Sequence, residues 1–223
     1  MTEKPSAAFF DIDGTLIKGD SQFLECLYIM KNETPPLGYY LKLTVPVFTG
    51  ILAGLGLMSQ EAHNCSYVWT YRGQSRQRLE ERGQQLFKHK LRDAFFPQAR
   101  DLIENHRLKG HKIVLVSATP FHLLAPFADD VVPDALMCTE LAFDMHQRCM
   151  GYPVGNICMG SAKAKLIQTF AGDHRINLKD CYAYADHHAD LPFLEATGHP
   201  HAMNPTLRLL KIARERKWPV IRI

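Results

Sequence analysis

Hydrophobic positions along the chain fall into two textures. Short, largely apolar runs closed by turn or polar residues occur at 7–10, 113–116, 135–141, 180–184 and 219–223. Such runs predict strands, and the first two are apolar enough to be buried on both faces. Between and after them, apolar residues recur at helical spacing and predict helices over 97–109, 120–127, 161–170, 191–196 and 205–217. The glycine- and proline-containing stretch 151–155 reads as part of a hairpin. From residue 20 to 95 the strand texture is absent, and helical pieces are expected. Asp20 or Ser21 would cap the first, with Phe23, Leu24, Leu27 and Tyr28 on one face. After a break at 32–36 come a long apolar segment (37–58), a helix opening at 59–61 and a charged piece (73–92).

Strands alternating with helices predict a parallel sheet covered on both faces. The interruption at 20–95 reads as an insertion folding as its own helical bundle. Ligands of such sheets bind outside the carboxyl ends of the strands. That rule groups Asp11 and Asp13 after the first strand, Ser117 after the second, Asp186 and Asp190 after 180–184, and Lys163 on a nearby helix. Asp11 and Asp13 share one face of an extended chain, and Gly14 turns it away. Two carboxylates that close raise each other's pKa unless a cation lies between them. The pattern therefore asks for a metal or a strong cationic partner.

Composition narrows the partners. The 223 residues carry a net charge of +3 without a long basic block, which gives no support for nucleic-acid binding. Six scattered cysteines without a Cys-x-x-Cys pair read as reduced thiols of a reducing compartment. The polar start, residues 1–6, does not read as a signal peptide. Between Leu37 and Gln60 the only charge is Lys42, and Gly50 and Gly54 have the spacing of closely packed helices. This stretch reads either as a buried helix or helix pair, or as a membrane-facing surface.

Four segments in order resemble the motifs of the haloacid dehalogenase superfamily, in its phosphoserine-phosphatase-like branch. They are Asp11-Ile12-Asp13-Gly14-Thr15, Leu115-Val116-Ser117-Ala118-Thr119, Gly160-Ser161-Ala162-Lys163 and Asp186-His187-His188-Ala189-Asp190. Asn204-Pro205, Leu207-Arg208 and Trp218-Pro219 resemble the ending of that branch. The resemblance implies a Rossmann-like α/β core over 1–19 and 96–223, with a helical cap over 20–95. It implies a Mg²⁺-dependent phosphomonoesterase in which Asp11 attacks phosphorus to give an aspartyl-phosphate. Asp13 would protonate the leaving oxygen and then deprotonate the hydrolytic water. Gly14, Thr15, Ser117, Ala118, Thr119 and Lys163 form the implied phosphate-binding set, with Ser117 the expected hydroxyl donor and Thr119 the alternative. Asp11, Asp13 (through its carbonyl), Asp186 and Asp190 form the implied metal set, Asp190 standing behind the ligands rather than among them.

The fourth motif departs from the pattern of the branch. His187 and His188 suggest zinc, but no third ligand stands at suitable spacing, so one histidine is expected to face the site and the other solvent. Ala189 replaces a polar residue, which puts serine phosphate as the substrate in doubt. The expected partner is a small phosphorylated substrate, in the cytoplasm or at a membrane through peripheral contact of the cap. The alternatives are a lipid-phosphate (phosphatidylglycerophosphate-like) phosphatase at the membrane surface and a non-catalytic phosphate-binding module.

Overall fold

A computed structural model describes residues 5–223. The reading of the polar start falls partly on residues 1–4, outside the described part. The Rossmann-like core is a parallel sheet of β1 (Ala7–Phe10), β2 (Lys112–Pro120), β3 (Ala135–Thr139), β6 (Tyr182–Ala185), β7 (His199–Met203) and β8 (Val220–Ile221). Their order is β3-β2-β1-β6-β7-β8, with every neighbouring pair parallel. A separate antiparallel hairpin joins β4 (Leu141–Phe143) to β5 (Cys149–Pro153).

Alternation along the central strands explains why both faces are covered. Phe10, Ile113 and Leu115 point to one side, where they meet Ile103 of α6 (Pro97–Leu108) and Phe127 of α7 (Phe121–Val131). Phe9, Val114 and Val116 point to the other, against Ile167 of α8 (Ser161–Asp173) and Phe193 of α9 (Leu191–Glu195). Successive strand residues alternate faces, so a strand buried on both sides must be apolar throughout. The last helix, α10 (Leu207–Glu215), covers the second face through Leu209 and Ala213.

The helices between β1 and α6 are α1 (Ser21–Asn32), α2 (Leu37–Gly54), α3 (Gln60–Thr70), α4 (Arg76–Leu86) and the single turn α5 (Arg92–Ala94). Asp20 caps α1 by accepting the Phe23 N–H at 2.7 Å. The buried side of α1 is not the expected one: Gln22, Glu25, Cys26 and Ile29 face inward, while Phe23 and Leu27 are exposed. The reason is a buried polar cluster beneath the helix. Glu25 accepts from the Tyr71 hydroxyl (2.6 Å) and Arg82 Nη1 (3.4 Å), and lies 3.4 Å from His122 Nε2 of α7. Polar residues that satisfy one another can occupy an interior that an apolar pattern alone would not assign to them. α4 approaches α7 so closely that a Cβ at Gly83 would lie 1.8 Å from the His122 carbonyl oxygen.

α2 is the other departure. Of its residues only Pro46 and Thr49 are buried, and Leu41, Val47, Phe48 and Ile51 are exposed. Its contact with α3 runs through Thr49, which bonds Ser66 at 2.8 Å and His63 at 3.0 Å. The helix forms but is not buried, so the first of the two readings of this stretch does not hold. The run expected at 135–141 breaks at Glu140 into β3 and β4, which belong to different sheets. β7 carried no strand signal, because His199-Pro200-His201 is not an apolar run.

Candidate active site

β1, β2 and β6 end side by side. Residues 117–119 leave the regular ladder, since the β2–β3 register shifts between Val116 and Pro120. That irregularity turns Ser117 and Ala118 towards the end of β1. A cavity of about 370 Å³ opens there, lined by Asp11, Asp13, Gly14, Ser117, Lys163 and Asp186 among others. The four motifs thus share one volume.

Asp11 is 6 % exposed. Its Oδ1 accepts from Lys163 Nζ at 2.5 Å and its Oδ2 from the Thr15 hydroxyl at 3.1 Å. Burial raises the Asp11 pKa, against the pull of the Lys163 ammonium. Lys163, on the first turn of α8, also donates to Asp190 Oδ2 at 2.7 Å. Burial alone would push the lysine pKa down, but the charges of Asp11 and Asp190 outweigh it and hold it well above the ordinary range. The second oxygen of Asp190 accepts the Gly160 N–H at 3.1 Å. Both oxygens of Asp190 are thus engaged by protein, fixing the start of α8 and the lysine on it.

Asp13 has different company. Its Oδ1 accepts the Ser21 N–H (2.8 Å), and its Oδ2 meets the hydroxyls of Ser21 (3.0 Å) and Thr119 (2.7 Å). Burial first, then the charge of Asp20, pushes its pKa up to about 7. Thr119 is engaged with Asp13 and does not line the cavity, whereas Ser117 and Ala118 do. Thr15 likewise serves Asp11.

Asp186 sits above Gly14. A Cβ built on Gly14 would lie 2.4 Å from Asp186 Oδ2, and φ at Gly14 is +72°. Only glycine supplies both the space and that backbone conformation at low cost. The Asp186 carboxylate makes no hydrogen bond among the described residues, while its backbone carbonyl accepts the Thr206 N–H at 2.9 Å. Burial, with the charges of Asp11 and Asp190, raises its pKa to about 8. The ending contributes too: Asn204 Nδ2 donates to the Gly14 carbonyl at 3.4 Å.

Burial, then His188, lowers the His187 pKa to about 4, so its ring is neutral at pH 7. His187 lines the cavity, and its Nδ1 accepts the Ala189 N–H at 3.2 Å. Among the described residues no group of three His, Cys, Asp or Glu side chains is placed to hold a metal. The wall opposite the strands comes from Asp20 and Gln22 at the start of α1 and Gln60 and Asn64 on α3. Sequence reasoning assigned no site role to these four. Gln60 and Asn64 are four apart, hence on one helix face, which was the available signal.

A family model described as haloacid dehalogenase-like hydrolase matches residues 8–195. The chain belongs to the haloacid dehalogenase-like hydrolases. Its likeness within them is to the phosphoserine-phosphatase-like members. A probable phosphatase of Mycobacterium tuberculosis is 30 % identical, over 97 % of this chain and 75 % of the relative. Phosphoserine phosphatase SerB1 of the same organism is 29 % identical over 96 % and 70 %. A histidinol-phosphatase of Neisseria meningitidis is 23 % identical over 96 % and 97 %. Among solved structures, a Bordetella pertussis protein described as having unknown function superposes with a TM-score of 0.83, at 25 % identity and 98 % coverage of both chains. A phospho-aspartyl intermediate analogue of phosphoserine phosphatase gives 0.72 at 18 % identity, covering 99 % of this chain and 94 % of the other, a likeness of fold.

Proposed function

We propose that this hydrolase cleaves small phosphomonoesters with Mg²⁺, through an aspartyl-phosphate on Asp11, in a site closed by a cap formed by residues 20–95. The observation that carries this reading is the contrast between two carboxylates two residues apart. Asp11 bonds an ammonium, whose charge pulls against the larger rise that burial imposes and so works towards the nucleophilic form. Asp13 is held among hydroxyls with a pKa near 7, suited to giving and retaking a proton. A module that only bound phosphate would need no such pair.

The donor set suits Mg²⁺. Asp186 offers a half-buried carboxylate without a protein donor among the described residues, and Asp11 lines the same cavity, both oxygen ligands. Mg²⁺ uses few protein oxygens and keeps waters and substrate phosphate as the rest of its shell, so three protein side chains are not required. When bound it would offset the repulsion between the nucleophile and the phosphoryl oxygens. Asp11 and Asp186, with the Asp13 carbonyl, would hold it, and Asp190 would act through Lys163 and Gly160.

The remaining steps use the chain's own groups. Lys163 and the Ser117 hydroxyl, with the backbone N–H of Ala118, would bind the phosphoryl oxygens, whereas the Gly14 N–H, expected to join them, donates to the Gly19 carbonyl at 3.1 Å. Asp11 Oδ would bond to phosphorus as the ester oxygen leaves and takes the proton of Asp13. Asp13 would then take a proton from the water that splits the acyl phosphate, releasing inorganic phosphate and restoring the Asp11 carboxylate and the protonated Asp13.

The cap wall bears on the leaving alcohol. Among the described cavity-lining residues Lys163 is the only lysine or arginine, and it is committed to Asp11 and Asp190. Asp20 and three carboxamides suit hydroxyl or ammonium groups better than a carboxylate. This favours an amino-alcohol phosphate, the substrate type implied by the name of the histidinol-phosphatase relative, over phosphoserine.

The test is hydrolysis of an aryl phosphate with Mg²⁺ by the wild type and Asp11→Asn, then a comparison of phosphoethanolamine, histidinol phosphate and phosphoserine. Turnover that needs the metal and falls by roughly 10³-fold or more in the variant supports the reading. Equal rates in the two chains overturn it, and preference for phosphoserine overturns the substrate assignment alone.

A further inference from the structure

A second cavity, of about 480 Å³, opens at the far end of α3 from the catalytic one. Asn64 on the catalytic wall and Thr70 on this one are six residues apart along α3, so about 9 Å separates them at a helical rise of about 1.5 Å per residue. Its walls are the α1–α2 connection (Glu33, Pro35, Pro36), the start of α2 (Tyr39, Lys42), the α3–α4 connection (Arg72–Ser75), α4 (Arg78, Arg82) and Arg148 from the β4–β5 hairpin. No residue is shared with the catalytic cavity.

Its charges do not balance. Among the described residues Glu33 is the only carboxylate on the wall, and its oxygens are taken by Arg78 Nη2 (2.7 Å) and Arg82 Nε (2.9 Å). Arg82 is further occupied by Gln74 (2.7 Å) and the buried Glu25 (3.4 Å). Two cations thus answer two carboxylates. Three others on the wall, Lys42, Arg72 and Arg148, form no ion pair among the described residues, although Asp144, off this wall, feels the Arg148 charge without pairing with it. Lys42 Nζ donates to the Arg72 carbonyl at 2.9 Å and Arg148 Nη1 to the Gly73 carbonyl at 3.1 Å. Neighbouring carbonyls therefore hold two cations on the wall of a cavity that Arg72 also lines. Like charges so gathered repel, and each keeps unused N–H donors. α4 also begins here, capped by Ser75, and its amino end adds positive potential. Against this, Pro35, Pro36 and the Tyr39 ring give an apolar floor.

We propose that this cavity is a second ligand site, separate from catalysis, that takes a phosphate-bearing small anion through Lys42, Arg72 and Arg148, with its apolar part over Tyr39. The phosphate can belong to a soluble metabolite or to a lipid headgroup, because the exposed apolar residues Leu41 and Phe48 of α2 continue beyond Lys42.

Lys42 lies 5.7 Å from the Trp69 ring centre, so its capture by an anion should alter Trp69 emission. A Trp218→Phe background removes the other tryptophan. Inorganic pyrophosphate titrated without divalent ions should give a saturable change in emission. Arg72→Glu/Arg148→Glu should weaken that binding roughly tenfold or more, as loss of charge-assisted contacts implies, and leave aryl-phosphate hydrolysis near wild type. A response to phosphatidylglycerol vesicles but not to phosphatidylcholine vesicles, lost in the same variant, assigns the phosphate to a lipid headgroup. No emission change with either probe at millimolar phosphate overturns the proposal. So does a change that survives the double reversal. Failure here leaves the catalytic reading standing, because Arg72 and Arg148 lie outside the catalytic cavity.

Discussion

Lys163 Nζ lies 2.5 Å from Asp11 Oδ1, and both side chains are almost wholly buried. A buried carboxylate alone would shed its charge by taking a proton, and a buried ammonium would shed its own by losing one. The ammonium pulls against the rise that burial imposes on Asp11, and Asp11 helps to hold the lysine charged, so the proposed nucleophile and the proposed phosphate-binding cation share one contact. Asp190 completes the arrangement by holding the lysine from its other side at 2.7 Å. Asp190→Asn keeps the shape and removes that charge. We expect kcat to fall roughly 10- to 100-fold, the usual cost of losing such a positioning group, with the fold intact. Steady-state kinetics with an aryl phosphate checks this, and an unchanged kcat would show that Lys163 is held in place without Asp190.

Gly14→Ala tests the closeness of the first and fourth motifs. The added methyl would meet Asp186 Oδ2 at 2.4 Å in a backbone conformation, φ +72°, that alanine adopts reluctantly. Asp186 must move to admit it. The expected result is a rise in the Mg²⁺ concentration needed for half-maximal activity, with stability reduced by roughly 1 kcal/mol from the backbone term. A metal titration of activity beside a thermal melt separates the two effects.

The catalytic end of the sheet was legible in the sequence because its constraints are local. Asp11, Asp13 and Gly14 follow a strand that must be apolar on both faces, and Lys163 opens a helix three residues after Gly160. The hydroxyl roles were less legible. Thr15 and Thr119 stand in the motifs expected to contact phosphate, yet they bond Asp11 and Asp13, which depends on where 117–119 leave the ladder. Residues 20–95 hold helices as expected, but of the expected face of α1 only Leu24 and Tyr28 pack against the core. Phe23 and Leu27 suggest an inward stripe, but the interior under α1 belongs to Glu25 and its polar partners. A pattern argument counts apolar positions and cannot see polar groups that satisfy one another across 46 or 57 residues of sequence.

That polar cluster gives the third prediction. Arg82 is 5 % exposed and serves Glu25, Glu33 and Gln74 together. The two carboxylates hold its pKa up against the effect of burial. Arg82→Met has a similar length and no charge, and leaves Glu25 buried with one cationic partner fewer. Removing one member of a buried pair typically costs about 3–5 kcal/mol. We expect a loss of that order by denaturant unfolding, with partial recovery when Glu25→Gln is added. A double variant as unstable as the sum of the singles would mean that the two residues do not interact.

His106 gives a pH dependence whose sign follows from its surroundings. It is 3 % exposed, with Nε2 at 2.8 Å from the Tyr184 hydroxyl and Nδ1 at 2.7 Å from His111. Burial, then the proximity of His111 and Lys109, lowers its pKa from 6.5 to about 4. Between those two values the unfolded chain binds more protons at this residue than the folded chain does. Stability from His106 is therefore complete above about pH 6.5 and is lost as pH falls towards 4. The raised carboxylates Asp13 and Asp186 act oppositely, since their folded forms hold protons that the unfolded chain has released. The contribution of His106 is isolated by comparison with His106→Gln, which cannot titrate. The wild type should lose roughly 1–2 kcal/mol more than the variant between pH 7 and 5. Parallel melting profiles for the two chains across that interval would show that His106 titrates alike in the folded and unfolded states. Because Tyr184 stacks on Phe10 at 4.8 Å, directly before Asp11, protonation of His106 should also loosen the strand that carries the proposed nucleophile. The same acid step is then expected to lower wild-type activity more than that of the variant when both are assayed well below their melting temperatures.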